Sequence, residues 1–248
     1  MKNEPTKSST VIPVVIIGIV LVAVIGGAWY LYSQSKPATN ANAKPGSTPA
    51  KAATVPPNAP TGANPPNMLG SPTAVVTVEE FADFQCPTCG STHPVMKEIQ
   101  STYGSKIRFI FREFPLPMHD KSYDAAVAAE AAGLQGKFWA MQDQIFTNQQ
   151  SWSGAPNFKE IWSGYAQKIG LDAQQWQNDI AGMAAKSRVD QDIQRAKALN
   201  VSSTPSIFIN GELSPDLTAA GIRRIIDLKL QEAAQSSGSA TSQVNSNK

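Results

Sequence analysis

The chain has 248 residues, and its 21 Lys and Arg against 19 Asp and Glu leave a formal net charge of +2. The sequence contains no basic cluster, internal repeat or glycine-rich phosphate loop, which argues against nucleic acid as a partner and against a phosphate-loop nucleotide site. Composition is uneven along the chain, and only the middle is predicted to fold.

An uncharged apolar stretch at residues 11–32 follows a short N-terminal segment at residues 1–10. A helix of this length, at about 1.5 Å per residue, spans a hydrocarbon core of roughly 30 Å. A cleaved signal peptide is the alternative, but its apolar core normally runs only about 7 to 15 residues. We therefore predict a transmembrane anchor at residues 11–32. Lysines flank it on both sides, so positive charge alone does not decide its orientation.

Two polar segments are predicted to be disordered. Residues 33–72 hold nine of the chain's 18 prolines and lack apolar periodicity, which is typical of an extended linker. Residues 236–248 are small and polar, as expected of a disordered tail. The remaining residues, 73–235, are predicted to form one domain.

The domain opens with a predicted buried strand, AVVTVEEFADF, at residues 74–84, rich in β-branched and aromatic side chains. Alternation places Glu80 in a row that is otherwise apolar, between Val78 and Ala82. Two interpretations of Glu80 are open. It is either a strand-end carboxylate that meets water, or a buried proton acceptor beneath the nearby thiols whose pKa is raised by desolvation.

The chain's only two cysteines follow directly, in the sequence CPTC at residues 86–89. A helix is predicted from about Cys86 to Gly104, with Pro87 in its first turn and Pro94 as an expected kink. A helix N-terminus stabilises the thiolate of a cysteine placed there, and Cys89 lies one turn on, within disulfide reach. The pattern predicts a redox-active pair in which Cys86 has a low pKa.

Three other interpretations of the pair compete with this one. A zinc site would need two further ligands, and the only histidines, His93 and His119, have a spacing unlike that of zinc motifs. An inert disulfide would close a loop too small to constrain the unfolded chain much. Two unrelated buried cysteines would not be expected at a helix start.

The rest of the domain continues with strand and helix patterns. KIRFIFREF at residues 106–114 predicts a strand, and helical spacing of apolar residues recurs between about residues 120 and 200. SIFING at residues 206–211, preceded by Thr204 and Pro205, predicts another strand. A last helix is predicted from about Leu217 to Ala234.

In this order, the elements and four motifs resemble the DsbA-like disulfide oxidoreductase family. The motifs are EFADFQCPTC at 80–89, REFPLPMH at 112–119, QGKFWAMQDQIF at 135–146 and STPSIFING at 203–211. The resemblance covers residues 73–235 and implies an α/β, thioredoxin-like fold with an inserted all-helical subdomain. One transmembrane helix and a disordered linker would precede that fold. The family implies no cofactor and no metal.

The resemblance also implies roles for individual residues. Cys86 is expected to be the exposed nucleophile of the Pro87-Thr88 motif, and Cys89 the shielded resolving cysteine. Glu80 matches the buried carboxylate of the family.

Thr204 and Pro205 match the cis-proline loop that faces the disulfide and pairs with substrate. Two interpretations are open for His93 and His119. Each is either a modulator of the site or an ordinary surface or packing histidine.

Such a protein would introduce disulfides into cysteine-containing clients, and a membrane-bound partner would reoxidise it. Because this chemistry belongs in an oxidising compartment, we expect a single-pass protein of the bacterial cytoplasmic membrane with its catalytic domain outside. The dipeptide between the cysteines is Pro-Thr, whereas strongly oxidising family members carry Pro-His, so the direction of exchange stays open. A reductase or isomerase of the same fold and a redox-silent tethered binding module are the alternatives.

Overall fold

The computed structural model describes residues 54–245, with side-chain environments through Ser236. The predicted anchor at 11–32, the segment before it and the first part of the predicted linker lie outside the described residues. Between residues 54 and 245, no helix combines the length and apolar character needed to cross a membrane.

A five-stranded sheet with the order β1-β3-β2-β4-β5 forms the centre of the domain. Its strands are β1 (Asn67–Gly70), β2 (Val76–Ala82), β3 (Ile107–Glu113), β4 (Ser206–Ile209) and β5 (Glu212–Leu213). Strand β2 is parallel to β3 and antiparallel to β4, while β1 and β5 add antiparallel edges. Because β2 has a strand on each side and helices over both faces, most of its side chains are buried.

Helices make up most of the remaining described chain. They are α1 (Pro87–Tyr103), α2 (Ser122–Leu134), α3 (Phe138–Thr147), α4 (Gln149–Trp152), α5 (Phe158–Lys168), α6 (Ala173–Ala181), α7 (Met183–Ala198) and α8 (Ala219–Asn245), with a 3₁₀ turn at Gly104–Lys106. Helices α2 to α7 all lie between β3 and β4 in the chain. This confirms the expected α/β fold with a helical block inserted between two strands.

The two faces of β2 pack against different helices. Phe81 belongs to an apolar cluster with Ala196 and Leu199, at the end of α7. Val78 and Phe84, on the other face, belong to the larger core that also contains the apolar side of α1. The alternation predicted from the sequence is therefore confirmed, and it places Glu80 on the face of the sheet that carries the cysteine helix.

The predicted linker, residues 33–72, extends too far into the chain. Asn67–Gly70 is the edge strand β1, Ala63 is buried, and Thr54 forms an isolated bridge with Glu212. Arginine side chains hold this segment through its backbone carbonyls, Arg195 at Pro60 and Arg112 at Thr61. Since polar contacts to the backbone order these residues, apolar periodicity could not reveal them.

The C-terminal boundary also differs from the prediction. Helix α8 continues to Asn245, past the predicted end at Ala234 and through most of the tail assigned to disorder. Once a helix is nucleated, each further residue adds one backbone hydrogen bond, so small polar residues extend it without an apolar pattern. The sequence also missed α4, whose four residues are too few to show periodicity.

Candidate active site

The CPTC motif lies where β2 ends and α1 begins. Cys86 is the N-cap residue of α1, with φ −68° and ψ 121°, and Pro87 is the first helical residue. The Cys86 carbonyl oxygen accepts the first backbone hydrogen bond of the helix, from Gly90 N–H at 3.1 Å. Both cysteines are reduced and buried, with Cys86 6% and Cys89 1% exposed. The expectation of an exposed Cys86 is therefore wrong for this form of the protein, although Cys86 is the less shielded of the two.

The pKa values of the two thiols are shifted in opposite directions. A hydrogen bond from the Cys89 thiol, the hydroxyl of Thr204 and the backbone amides of Thr88 and Cys89 outweigh burial and lower the pKa of Cys86 to about 5. Burial raises the pKa of Cys89, and its role as donor to Cys86 raises it further. At neutral pH the pair is therefore a thiolate at Cys86 beside a neutral thiol at Cys89.

The Thr204-Pro205 loop faces the nucleophile. Its peptide bond is cis, as the resemblance implies, and the Cys86 thiol donates to the carbonyl oxygen of Thr204 at 3.5 Å. The Thr204 hydroxyl oxygen is buried and has no hydrogen-bond partner among the described residues. The hydroxyl is therefore free to donate to the Cys86 thiolate, whose pKa it lowers.

Glu80 is buried on the cysteine face of β2, at 3% exposure. Burial raises its pKa to about 8, so the carboxyl group is mostly protonated at neutral pH. Of the two interpretations left open by the sequence, the buried acid is therefore the one that fits. No hydrogen bond among the described residues joins Glu80 to either cysteine.

The two histidines have different polar partners. His93, on α1, stacks on Phe146 and pairs with Asp143 of α3 at 2.9 Å, which is the geometry of a packing histidine. His119 pairs through Nδ1 with Asp83 at 2.7 Å, and the Asp83 backbone N–H donates to Cys89 Sγ at 3.5 Å. Among residues 54–245, no group of three or more potential ligands is arranged to hold a metal ion.

Sequence reasoning missed a polar framework around the redox loop. Asp83 is 1% exposed, and its carboxylate accepts from the backbone amides of Gln85 and Leu116 and from the Ser122 hydroxyl. The Gln149 side chain donates to the carbonyl oxygens of the redox loop. The strand-end position of Asp83 was a usable signal, whereas nothing in the sequence around Gln149 indicates a contact more than sixty residues away.

The fold is found in solved disulfide oxidoreductases. A thioredoxin-like oxidoreductase from Silicibacter pomeroyi is 27% identical, with a TM-score of 0.56 over 69% of this chain and 92% of that one. Oxidised BdbD from Bacillus subtilis is 22% identical, with a TM-score of 0.61 over 70% of this chain and 98% of that one. Wolbachia pipientis alpha-DsbA1 is 21% identical, with a TM-score of 0.61 over 73% and 95%.

Curated relatives share the domain within much longer proteins. A Na(+)/H(+) antiporter NhaA 1 from Mycolicibacterium gilvum is 34% identical over 149 residues, which are 59% of this chain and 23% of that protein. A NhaA 3 from Salinispora tropica is 36% identical over 146 residues, 58% of this chain and 22% of that protein. The chain thus spans less than a quarter of the length of these relatives.

A family model described as thioredoxin matches residues 63–228, which is more than half of the chain and includes both cysteines and the cis-proline loop. Together with the structural similarities, this match means that the chain belongs to the thioredoxin family and has the DsbA-like fold of the thiol:disulfide oxidoreductases.

Proposed function

We propose that this protein, a thiol:disulfide oxidoreductase of DsbA-like fold, works as an oxidase that passes its CPTC disulfide to client proteins. The observation that carries the proposal is the low pKa of Cys86, about 5, beside a Cys89 whose pKa is raised. Stabilising the Cys86 thiolate stabilises the reduced pair. The disulfide form is correspondingly more oxidising.

The first step forms a mixed disulfide. A client thiolate attacks Cys86 Sγ, the Cys86–Cys89 bond breaks, and Cys89 leaves with the bonding electron pair. Because burial raises the pKa of Cys89, this sulfur takes up a proton. Glu80, mostly protonated with a pKa of about 8, can supply it through an intervening water.

The second step releases the oxidised client. The client's second thiol loses its proton and attacks the client sulfur joined to Cys86, which forms the client disulfide and expels Cys86 as a thiolate. A leaving thiol of low pKa is expelled quickly, and the Thr88 and Cys89 amides already point to this sulfur. The client has lost two electrons and two protons, and the CPTC pair holds the electrons.

Client binding is assigned to the Thr204-Pro205 loop. The Cys86 thiol donates to the Thr204 carbonyl oxygen only while it is protonated. As a thiolate or in the disulfide, Cys86 has no proton to donate, which leaves this carbonyl available to a backbone N–H of an extended client segment. Such main-chain pairing is independent of client side chains, as an enzyme with many clients requires.

The proposal places the domain outside the cytoplasmic membrane, held by the apolar residues 11–32. The support is the uncharged run itself and the need for an oxidising compartment. A membrane-bound partner would take the two electrons and restore the disulfide. Protease added to intact spheroplasts should then digest the domain, whereas a protected domain would contradict this orientation.

The reduction potential of the Cys86–Cys89 pair tests the direction of exchange. The full chain in detergent is equilibrated with glutathione buffers, and the oxidised fraction is measured by alkylation of the free thiols. We expect a potential near that of strong oxidants, about −120 mV. A potential of about −270 mV would contradict the oxidase and favour a reductase.

A further inference from the structure

Two glutamine side chains cross between the redox loop and the inserted helical block. Gln149, the first residue of α4, donates through Nε2 to the carbonyl oxygens of Phe84 at 2.7 Å and Cys86 at 2.8 Å. In the opposite direction, Gln85 donates through Nε2 to the carbonyl oxygen of Ser153 at 3.3 Å. We call this reciprocal contact, formed by Gln85 and Gln149, the glutamine bridge.

Both ends of the glutamine bridge are held in place. Trp152, in the same helix as Gln149, is fully buried, and its indole N–H donates to the Ile145 carbonyl oxygen at 2.8 Å. The Gln85 side-chain oxygen accepts from the Lys121 backbone N–H at 2.7 Å. Rigid supports on both sides mean that the bridge can impose a geometry on the loop between them.

The Gln149 side chain fits beside α1 because residue 90 is a glycine. A Cβ atom added at Gly90 would lie 2.6 Å from the Gln149 side-chain oxygen, so the absence of a side chain at this position admits the amide. Gln149 and Gly90 also line a cleft of about 590 Å³ beside the start of α1. The amide group therefore lies between the redox helix and open solvent, in direct contact with that helix.

The Cys86 carbonyl is a sensitive place for such a contact. It belongs to the N-cap residue, whose ψ of 121° turns the chain into the helix. The same turn directs the Thr88 and Cys89 amides to Cys86 Sγ, where they help to stabilise the thiolate. A rotation of the Cys86 peptide plane would move these amides away from the sulfur.

We propose that Gln149 is a positioning residue for the redox pair. By holding the carbonyls of Phe84 and Cys86, it fixes the direction in which the Thr88 and Cys89 amides meet the nucleophilic sulfur. The inserted helical block thereby sets how readily Cys86 attacks and leaves. This inference rests on the proposed role of Cys86 as the reactive thiol, and it adds a residue that no motif of the sequence contains.

The test replaces Gln149 with a side chain of similar shape that cannot donate. The Gln149→Met variant of the full chain is compared with wild type and with Gln150→Met, which alters the same cleft at a residue with no hydrogen bond to the redox loop. Two quantities are measured, the midpoint of the pH dependence of Cys86 alkylation and the equilibrium constant with glutathione. Urea unfolding of each variant reports on stability.

For Gln149→Met we expect the alkylation midpoint to rise by about one pH unit and the glutathione equilibrium to shift about tenfold toward the disulfide form, because a pKa unit is a factor of ten in thiolate stability. Gln150→Met should match wild type in both. A purely structural role would lower the unfolding midpoint of Gln149→Met and leave both thiol quantities at the wild-type value. That result would overturn the inference.

Should Gln149→Met not fold, Gln85→Met interrupts the glutamine bridge from its other end. An upward shift of the alkylation midpoint of about half a pH unit is expected, since the bond that Gln85 donates across the bridge, to the Ser153 carbonyl oxygen at 3.3 Å, is longer than either bond of Gln149. Wild-type values in Gln85→Met would then overturn the inference. Each result is a difference from wild type, whereas the proposed oxidase direction depends on the wild-type potential itself, so the two failures are distinguishable.

Discussion

Two neighbouring glutamates lie on opposite faces of strand β2, and their pKa values are shifted in opposite directions. Glu79 and Glu80 are both buried, at 5% and 3% exposure. Burial alone would raise the pKa of each, but hydrogen bonds and charge from Arg195 and Arg112 outweigh it and lower the pKa of Glu79. Glu80 has no such partner, and its pKa rises to about 8. Partners, and not depth, decide the charge of a buried carboxyl group.

The two faces of β2 also differ in their role, since one holds the domain together and the other carries the redox pair. On the Glu79 face, Arg112 also donates to Asp192 and to the carbonyls of Thr61 and Ala63, which fastens the segment before β1 to the sheet. On the Glu80 face lie α1 and the cysteines. We therefore expect substitutions on the Glu79 face to change stability without changing thiol chemistry, and substitutions on the cysteine face to change thiol chemistry or the pH dependence of stability.

Cys86→Ser should have the largest effect on activity. Without the Cys86 sulfur neither the CPTC disulfide nor a mixed disulfide with a client can form, so oxidation of a reduced model protein should stop. Global stability should change by less than about 1 kcal/mol, because the substitution is small and far from the arginine network. Insulin reduction and reduced-ribonuclease refolding assays measure the activity.

Cys89→Ser is the matched control for this substitution, since its Cys86 thiolate can still attack a client disulfide and expel one client thiolate. Without Cys89 to resolve it, this mixed disulfide should accumulate and be detectable by gel electrophoresis without reductant. Client binding that survives in Cys86→Ser, together with a wild type that shows no disulfide exchange, would favour the redox-silent binding module.

Arg112→Met should have the largest effect on stability. It leaves the buried carboxylates of Glu79 and Asp192 short of a partner, and removing one member of a buried ion pair costs roughly 3 to 5 kcal/mol. Denaturant unfolding measures the loss, and the pKa of Cys86 should stay at its wild-type value. A changed Cys86 pKa with unchanged stability would mean that the two faces are not divided as described.

Glu80→Gln should have a smaller effect that depends on pH. The folded carboxyl has a pKa of about 8 against an ordinary value of 4.5, so between these values the unfolded chain ionises while the folded protein keeps its proton. The stability of the wild type therefore falls as pH rises through this window. The Gln variant lacks this loss and should be more stable at pH 7, by roughly 3 kcal/mol.

Unfolding of Glu80→Gln and wild type at several pH values measures this difference, which should vanish below about pH 4.5. A difference that is constant with pH would mean that Glu80 is charged in the folded protein. Glu79→Gln, on the opposite face, is the control and should instead be less stable than wild type at pH 7.

Local patterns predicted the parts of the site that lie close together in the chain. The β-branched residues of β2, the Cys86 N-cap with Pro87 after it, and the Gly104 stop of α1 depend on short-range sterics and backbone hydrogen bonding, which neighbouring residues control. Alternation along β2 correctly assigned Glu80 to the cysteine face. The ion pairs of Glu79 could not be predicted in this way, because Arg195 is 116 residues further along the chain.

Long-range polar contacts explain what the sequence left undetermined. The segment from Pro60 to Ala63 is ordered by arginine side chains that reach its carbonyls, and the redox loop is held by an amide from α4. Neither contact has a period or a motif, since a hydrogen bond to a backbone carbonyl makes no demand on the side chain of the accepting residue. Neighbouring residues in the chain were enough to predict the reactive pair and the order of elements around it. The groups that surround Cys86 and each glutamate could be identified only in the folded domain, because those groups meet through folding and not through neighbouring positions in the chain.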